Sequence, residues 1–219
     1  MSEPAEPYLR AYRGLLGFFQ RFETDLPSAV ADVSEFVDAT ISRGGVLYLN
    51  GSGRSFYVLE AFARRVSKPP INAQVRPLVF SSQPKIAEQD ALIVCSGTGL
   101  TELVVELTQA WTRLNKHVLA ITSSAGSHDT PLASLSDKFE KRVIIPDSLT
   151  RRDVENRRRR SADGSALLLP SDLYGLYDES DPALFPASKF ELGVLLLLEC
   201  VVAQLFVEYR SKEPSRAQK

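Results

Sequence analysis

Two short segments gather glycines and hydroxyl side chains in a pattern suited to holding an anion. The first is GSGRS at residues 51–55, with Ser52, Gly53, Arg54 and Ser55. The second is SGTGLT at residues 96–101, with Ser96, Gly97, Thr98 and Thr101. Glycine lets the backbone approach a ligand closely, and a helix starting just beyond supplies unpaired N–H groups and the positive end of its dipole. The hydroxyls add neutral donors for phosphate oxygens. Ser and Thr are also favoured at helix N-caps whatever the function, and capping would account for one such turn. Two turns of the same kind, each after an apolar run, favour a ligand instead. Neither fits a nucleotide fingerprint: GSGRSF lacks the third glycine of the dinucleotide motif, and no Walker A lysine follows either turn. The pattern suits a small phosphorylated metabolite better than ATP or NAD.

Few other side chains offer chemistry. The chain has two His and two Cys, and its one Met is the initiator. His117 begins an apolar run and reads as structural, whereas His128 follows SSAGS at the end of that run, on the same rim as the two turns. His128 is therefore kept as a possible substrate contact. Cys95 and Cys200 lie in apolar segments and read as small buried residues. With no Cys–His cluster, no metal and no cofactor are expected.

The elements that position these residues follow from hydrophobic spacing. Tyr8, Leu9, Tyr12, Leu15, Leu16, Phe19 and Phe22 recur at helical intervals, with Phe18 widening that face, and Val30, Val33, Phe36, Val37 and Ile41 form a second stripe. Pro27 separates them, so two helices are expected within residues 1–44, closed by Gly44 and Gly45 as a C-cap. VLYLN at residues 46–50 reads as a strand and leads through the first turn into a helix carrying Tyr57, Val58, Ala61, Phe62 and Val66. ALIVC at residues 91–95 repeats the pattern, with Leu103, Val104, Leu107 and Trp111 beyond the second turn. HVLAIT at residues 117–122 starts a third copy, and residues 142–145 read as a further strand. Strand, small-residue turn and helix in repetition predict a parallel sheet with helices on both faces. Periodicity fails over residues 147–186, which read as a surface excursion within a single domain spanning 1–219. Six Arg crowd residues 151–160, but eight acids across 147–181 offset them, so a solvated or self-paired loop is expected there. A strongly apolar helix over 188–209 closes the pattern and is expected to lie between subunits.

Composition narrows the function classes. With 26 Lys and Arg against 27 Asp and Glu, the formal net charge is −1, without the basic excess of a nucleic-acid binder. Hydrophobic residues make up 44% and charged residues 24%, as in a folded globular chain. The first seven residues are acidic and lack the basic and apolar parts of a signal peptide. The apolar run 192–207 is interrupted by Gly193, Glu199 and Gln204 and reads as too short and too polar to span a bilayer. A cytoplasmic protein without nucleic-acid or membrane partners is the expectation.

NGSGRSFYVLEAFARRV (residues 50–66) and DALIVCSGTGLTELV (residues 90–104) resemble the two signature segments of the sugar isomerase (SIS) domain family. They look most like those of its 6-phospho-3-hexuloisomerase branch. HVLAITSS at residues 117–124 is similar to the family's next strand, and PASKFELGVLLLLECVV at residues 186–202 to its Pro-x-Gly-x-x-Phe-Glu segment, with Ser188 in place of glycine. Arg76-Pro77 stands where the family has Gly-Glu, and residues 210–219 hold no histidine. The resemblance implies a flavodoxin-like three-layer α/β/α sandwich around a five-stranded parallel sheet. It further implies a homo-oligomer, dimer or tetramer, with shared active sites. The hydroxyls of Ser55, Ser96, Thr98 and Thr101 would hold a sugar phosphate, Arg54 would sit at the sugar end, and Glu191 would be the base from a subunit interface. The implied reaction moves a carbonyl along a ketose phosphate through an enediolate. A phosphosugar sensor without turnover, and lyase or deacetylation chemistry on an amino sugar phosphate, are the alternatives.

Overall fold

In the computed structural model, which describes residues 6–78, 85–114, 117–124, 126–146 and 186–212, the three central strands stop where the sequence changes from apolar to glycine or serine. They are β1 (Leu47–Gly51), β3 (Ala91–Ser96) and β4 (Val118–Ser123), flanked by the edge strands β2 (Val75–Pro77) and β5 (Lys141–Ile145). All pairings are parallel and the order is β2-β1-β3-β4-β5. Every residue of β3 and β4 is buried, as expected of parallel strands covered on both faces.

Alternation along the strands sends side chains into two cores. Leu47, Leu49, Ile93, Cys95, Leu119, Ile121, Val143 and Ile145 pack under α1 (Glu6–Ser42), α2 (Gly53–Val66) and α4 (Pro186–Lys212). Tyr48, Leu92, Val94, Val118 and Ala120 pack on the other face, with Val104 and Trp111 of α3 (Glu102–Leu114) and with Leu132. This is the three-layer α/β/α sandwich. The third strand–turn unit is followed only by a 3₁₀ turn, Ala133–Lys138.

The N-terminal segment differs from the expected pair of helices. It is one helix of 37 residues with Pro27 inside it. An interior proline costs about 3 kcal/mol, because it removes a donor and crowds the preceding turn. Here Phe18 and Phe22 before it, and Val30, Val33, Phe36 and Val37 after it, are buried in the same core. Each such side chain stabilises by roughly 1.5–3 kcal/mol, so burial on both sides outweighs the break. Gly44 then ends the helix at φ 71°, with its N–H and that of Gly45 bonded to the carbonyls of Ile41 and Thr40 at 2.9 and 3.0 Å.

The C-terminal helix, Pro186–Lys212, runs two to three residues beyond the expected 188–209 at each end, and its apolar segment is longer than the run 192–207 that read as too short and too polar for a bilayer. Its segment Lys189–Lys212 is, by length and composition, apolar enough to cross a membrane, and 44% of its most apolar window is buried inside the protein. Phe190, Val194, Leu197, Leu198, Val201, Val202 and Leu205 supply that inward face. The expected excursion lies, up to residue 185, outside the described residues.

Candidate functional site

The strand order reverses between β1 and β3, and in open α/β sheets the ligand crevice lies outside the carboxyl ends of the strands at that point. The two hydroxyl-rich turns flank it, one after each strand.

In the first turn, Ser52 holds extended backbone at the N-cap of α2 (φ −137°, ψ 148°), yet its side chain makes no capping hydrogen bond. Capping therefore does not account for this serine. Gly53 follows at φ 54°, a left-handed conformation that turns the chain into the helix. Arg54 comes next, and its Nη2 lies 3.4 Å from Oε2 of Glu191 in α4, the two side chains being 38% and 16% exposed. Ser55 is buried. Burial, and then the charge of Glu191, push the Cys95 thiol up, while a hydrogen bond with the Ser55 side chain opposes them. Cys95 is therefore a neutral thiol on the floor of the site rather than a nucleophile. The first turn, the end of β3 and the start of α4 thus converge on one spot. There the Arg54 guanidinium faces the Glu191 carboxyl group at the head of the apolar helix.

The second turn is more enclosed. Ser96 and Thr98 are buried, and their hydroxyls accept the N–H groups of Gly99 (3.2 Å) and Leu100 (3.4 Å). Gly99 sits at φ 65°, where an added Cβ would come within 2.5 Å of Thr130 Oγ1. Thr101 accepts the Val105 N–H on its carbonyl at 3.0 Å, the capping position before α3. Gly97 approaches the loop after β4 so closely that a Cβ on Gly126 would lie 2.3 Å from its carbonyl oxygen. His128 is exposed on that loop, on the same rim. His117 lies just before β4, at the opposite ends of the strands, its Nδ1 2.5 Å from Glu140 Oε2.

The sequence reading overlooked Cys95 as part of the site, together with Thr122 and Ser123 at the end of β4. Their only signal was position: a thiol and two hydroxyls at the ends of core strands, on the rim that carries both turns. Among the described residues, no group of three or more His, Cys, Asp or Glu is placed to hold a metal ion.

Solved structures share this architecture. The phosphoheptose isomerase GmhA of Neisseria gonorrhoeae superposes with TM-score 0.63 at 13% identity, over 93% of this chain and 98% of that one. The sugar isomerase domain of an RpiR transcription factor from Sphaerobacter thermophilus gives 0.56 at 12% identity, over 97% and 94%. The chain has the sugar isomerase fold. NanR of Vibrio vulnificus, complexed with ManNAc-6P, shares the same fold at TM-score 0.56 and 16% identity, over 96% of this chain and 66% of that one. No family model matches the sequence. Among curated proteins, an uncharacterised protein of Archaeoglobus fulgidus is 29% identical over 108 residues, covering 49% of this chain and 54% of that protein. The 3-hexulose-6-phosphate isomerase of Mycobacterium gastri is 32% identical over 125 residues, covering 53% and 59%. The aligned part thus spans little more than half the length of these two relatives.

Proposed function

We propose that this protein is a sugar-phosphate isomerase acting on a ketose phosphate, in the manner of a 6-phospho-3-hexuloisomerase. The observation that carries the reading is the approach of Arg54 to Glu191 at 3.4 Å beside two glycine–hydroxyl turns. The turns supply helix N-termini and the hydroxyls of Ser52, Ser55, Ser96, Thr98 and Thr101 for the phosphate. Glu191 removes the proton from the carbon next to the carbonyl and returns it to the neighbouring carbon. Arg54 holds positive charge beside the enediolate oxygen that forms between the two transfers. The proton is conserved, so the reaction requires no oxidant. The identity to a 3-hexulose-6-phosphate isomerase supports this substrate class.

Soluble cytoplasmic activity in a dimer or tetramer completes the reading, with His128 a rim contact; Glu191 was expected from a subunit interface, but it meets Arg54 of its own chain. A second reading, a phosphosugar sensor without turnover, is supported by the likeness to a transcription factor's sugar isomerase domain. The two separate in one experiment. The chain is incubated with ketohexose 6-phosphates and product is followed by NMR, while thermal shift reads binding. A ligand at about 100 times its Kd stabilises by roughly 2.7 kcal/mol. Turnover establishes the isomerase; a thermal shift without turnover establishes the sensor; neither signal removes both.

A further inference from the structure

The end of β4 carries two adjacent hydroxyls that bond to the backbone of the second turn rather than to each other. Thr122 Oγ1 donates to the Ser96 carbonyl at 2.8 Å, and Ser123 Oγ donates to the Gly97 carbonyl at 2.5 Å. Ser123 Oγ also accepts the Gly126 N–H at 2.9 Å, which ties the same serine to the loop beyond. Thr130 Oγ1 closes that loop by donating to the Gly126 carbonyl at 2.8 Å. All six residues in these bonds (Ser96, Gly97, Thr122, Ser123, Gly126 and Thr130) are buried.

We propose that Thr122 and Ser123 are positioning residues for the second turn, holding its peptide planes so that the N–H groups of Gly97 and Thr98 face the ligand. In a trans peptide the C=O and the following N–H point in opposite directions. The Ser96 and Gly97 carbonyls are drawn toward β4, so the N–H groups of Gly97 and Thr98 turn toward the β1 side. That side of β3 is the crevice. The two hydroxyls have a second effect on an anion bound there. A carbonyl facing a phosphate repels it, and these two carbonyls are engaged on the far side by donors. The proposal rests on reading the turn as the phosphate cradle.

The test uses the full chain, ¹⁵N-labelled, titrated with inorganic phosphate. In the wild type the amide signals of Gly97 and Thr98 move on addition of phosphate. Thr122→Val keeps the shape and removes one hydroxyl. It weakens phosphate binding about tenfold, while Thr122→Ser restores it to within twofold of wild type. Ser123→Ala, which loses both of its bonds, weakens binding at least as much. Should Ser123→Ala not fold, Thr122→Val decides alone. Phosphate that moves the Gly97 and Thr98 amides yet binds Thr122→Val as tightly as wild type overturns the positioning role and leaves the cradle standing. Phosphate that leaves those amides unmoved in the wild type overturns the cradle and the positioning role together.

Discussion

Arg54 and Glu191 reach one another from α2 and α4, elements far apart in the chain, and the pair defines the chemistry the site can offer. Both were legible in the sequence through flanking motifs: Arg54 inside a glycine–serine turn, Glu191 behind Phe190 at the head of an apolar helix. Their contact was not, because nothing in either segment encodes the other's position. Thr122 and Ser123 were harder still, since two hydroxyls at a strand end have no distinctive spacing, and only the neighbouring turn gives them a role. Replacing Glu191 with Gln keeps the side-chain shape and removes the base. The expected outcome is a kcat lower by roughly 10² to 10⁴ with KM within a few-fold, measured on whichever ketose phosphate the wild type converts. Turnover within a few-fold of wild type would remove Glu191 from the reaction.

At the scale of elements, α4 sits so close to α1 and β5 that Gly193 has no room for a side chain. A Cβ there would lie 2.7 Å from Ile145 Cγ2 and 2.9 Å from the Phe18 ring, both in the core. Alanine is the better helix former by about 1 kcal/mol. Overpacking a filled core costs about 1–3 kcal/mol, and two fully buried neighbours leave little slack. Gly193→Ala is therefore expected to lower the melting temperature, and a rise would mean that the helices can separate cheaply. The same contacts explain why the N-terminal helix was misjudged. Pro27 is a local break signal, but Phe18 and Phe22 find their partners in a segment that local reading cannot place beside them. The central strands were legible because each is a continuous apolar run ended by glycine or serine. β2, three residues ending in Pro77 at the sheet edge, has too little apolar pattern to stand out and was expected only through the family resemblance.

Across the whole molecule, ion pairs and hydrogen bonds fasten α1 to the sheet and to α4. Lys141 of β5 donates to Asp32 at 2.9 Å and also to Glu35, and Tyr209 donates to Asp38 at 2.7 Å. Burial would lower the Lys141 ammonium, but its bonds to Glu35 and Asp32 outweigh that and raise it. Burial, and then Asp38, raise the Tyr209 hydroxyl as well. Both groups favour the protonated form in the folded state. Their contribution is full below the unfolded values near pH 10 and is lost as pH climbs through the folded ones. Urea midpoints at pH 8 and pH 11 should therefore fall further for wild type than for a Lys141→Met, Tyr209→Phe double variant; equal losses would count against the assignment. The outer side of α4 leaves Leu195, Phe206 and Val207 exposed. Burial of that strip in an oligomer predicts a dimer or tetramer by sedimentation at micromolar concentration, shifted toward monomer by Phe206→Glu. A stable wild-type monomer would sink this expectation. The packing of α1 on α4 also matters while the chain is being made. Phe18 and Phe22 leave the ribosome early, but Phe190 and Val194, members of the same core, are made more than 150 residues later. At about 5–20 residues per second, the first helix waits on the order of ten to thirty seconds with its aromatic face uncovered. Nascent chains stalled before residue 186 should accordingly recruit holding chaperones and be cut by protease within α1, and release of the finished chain should end both.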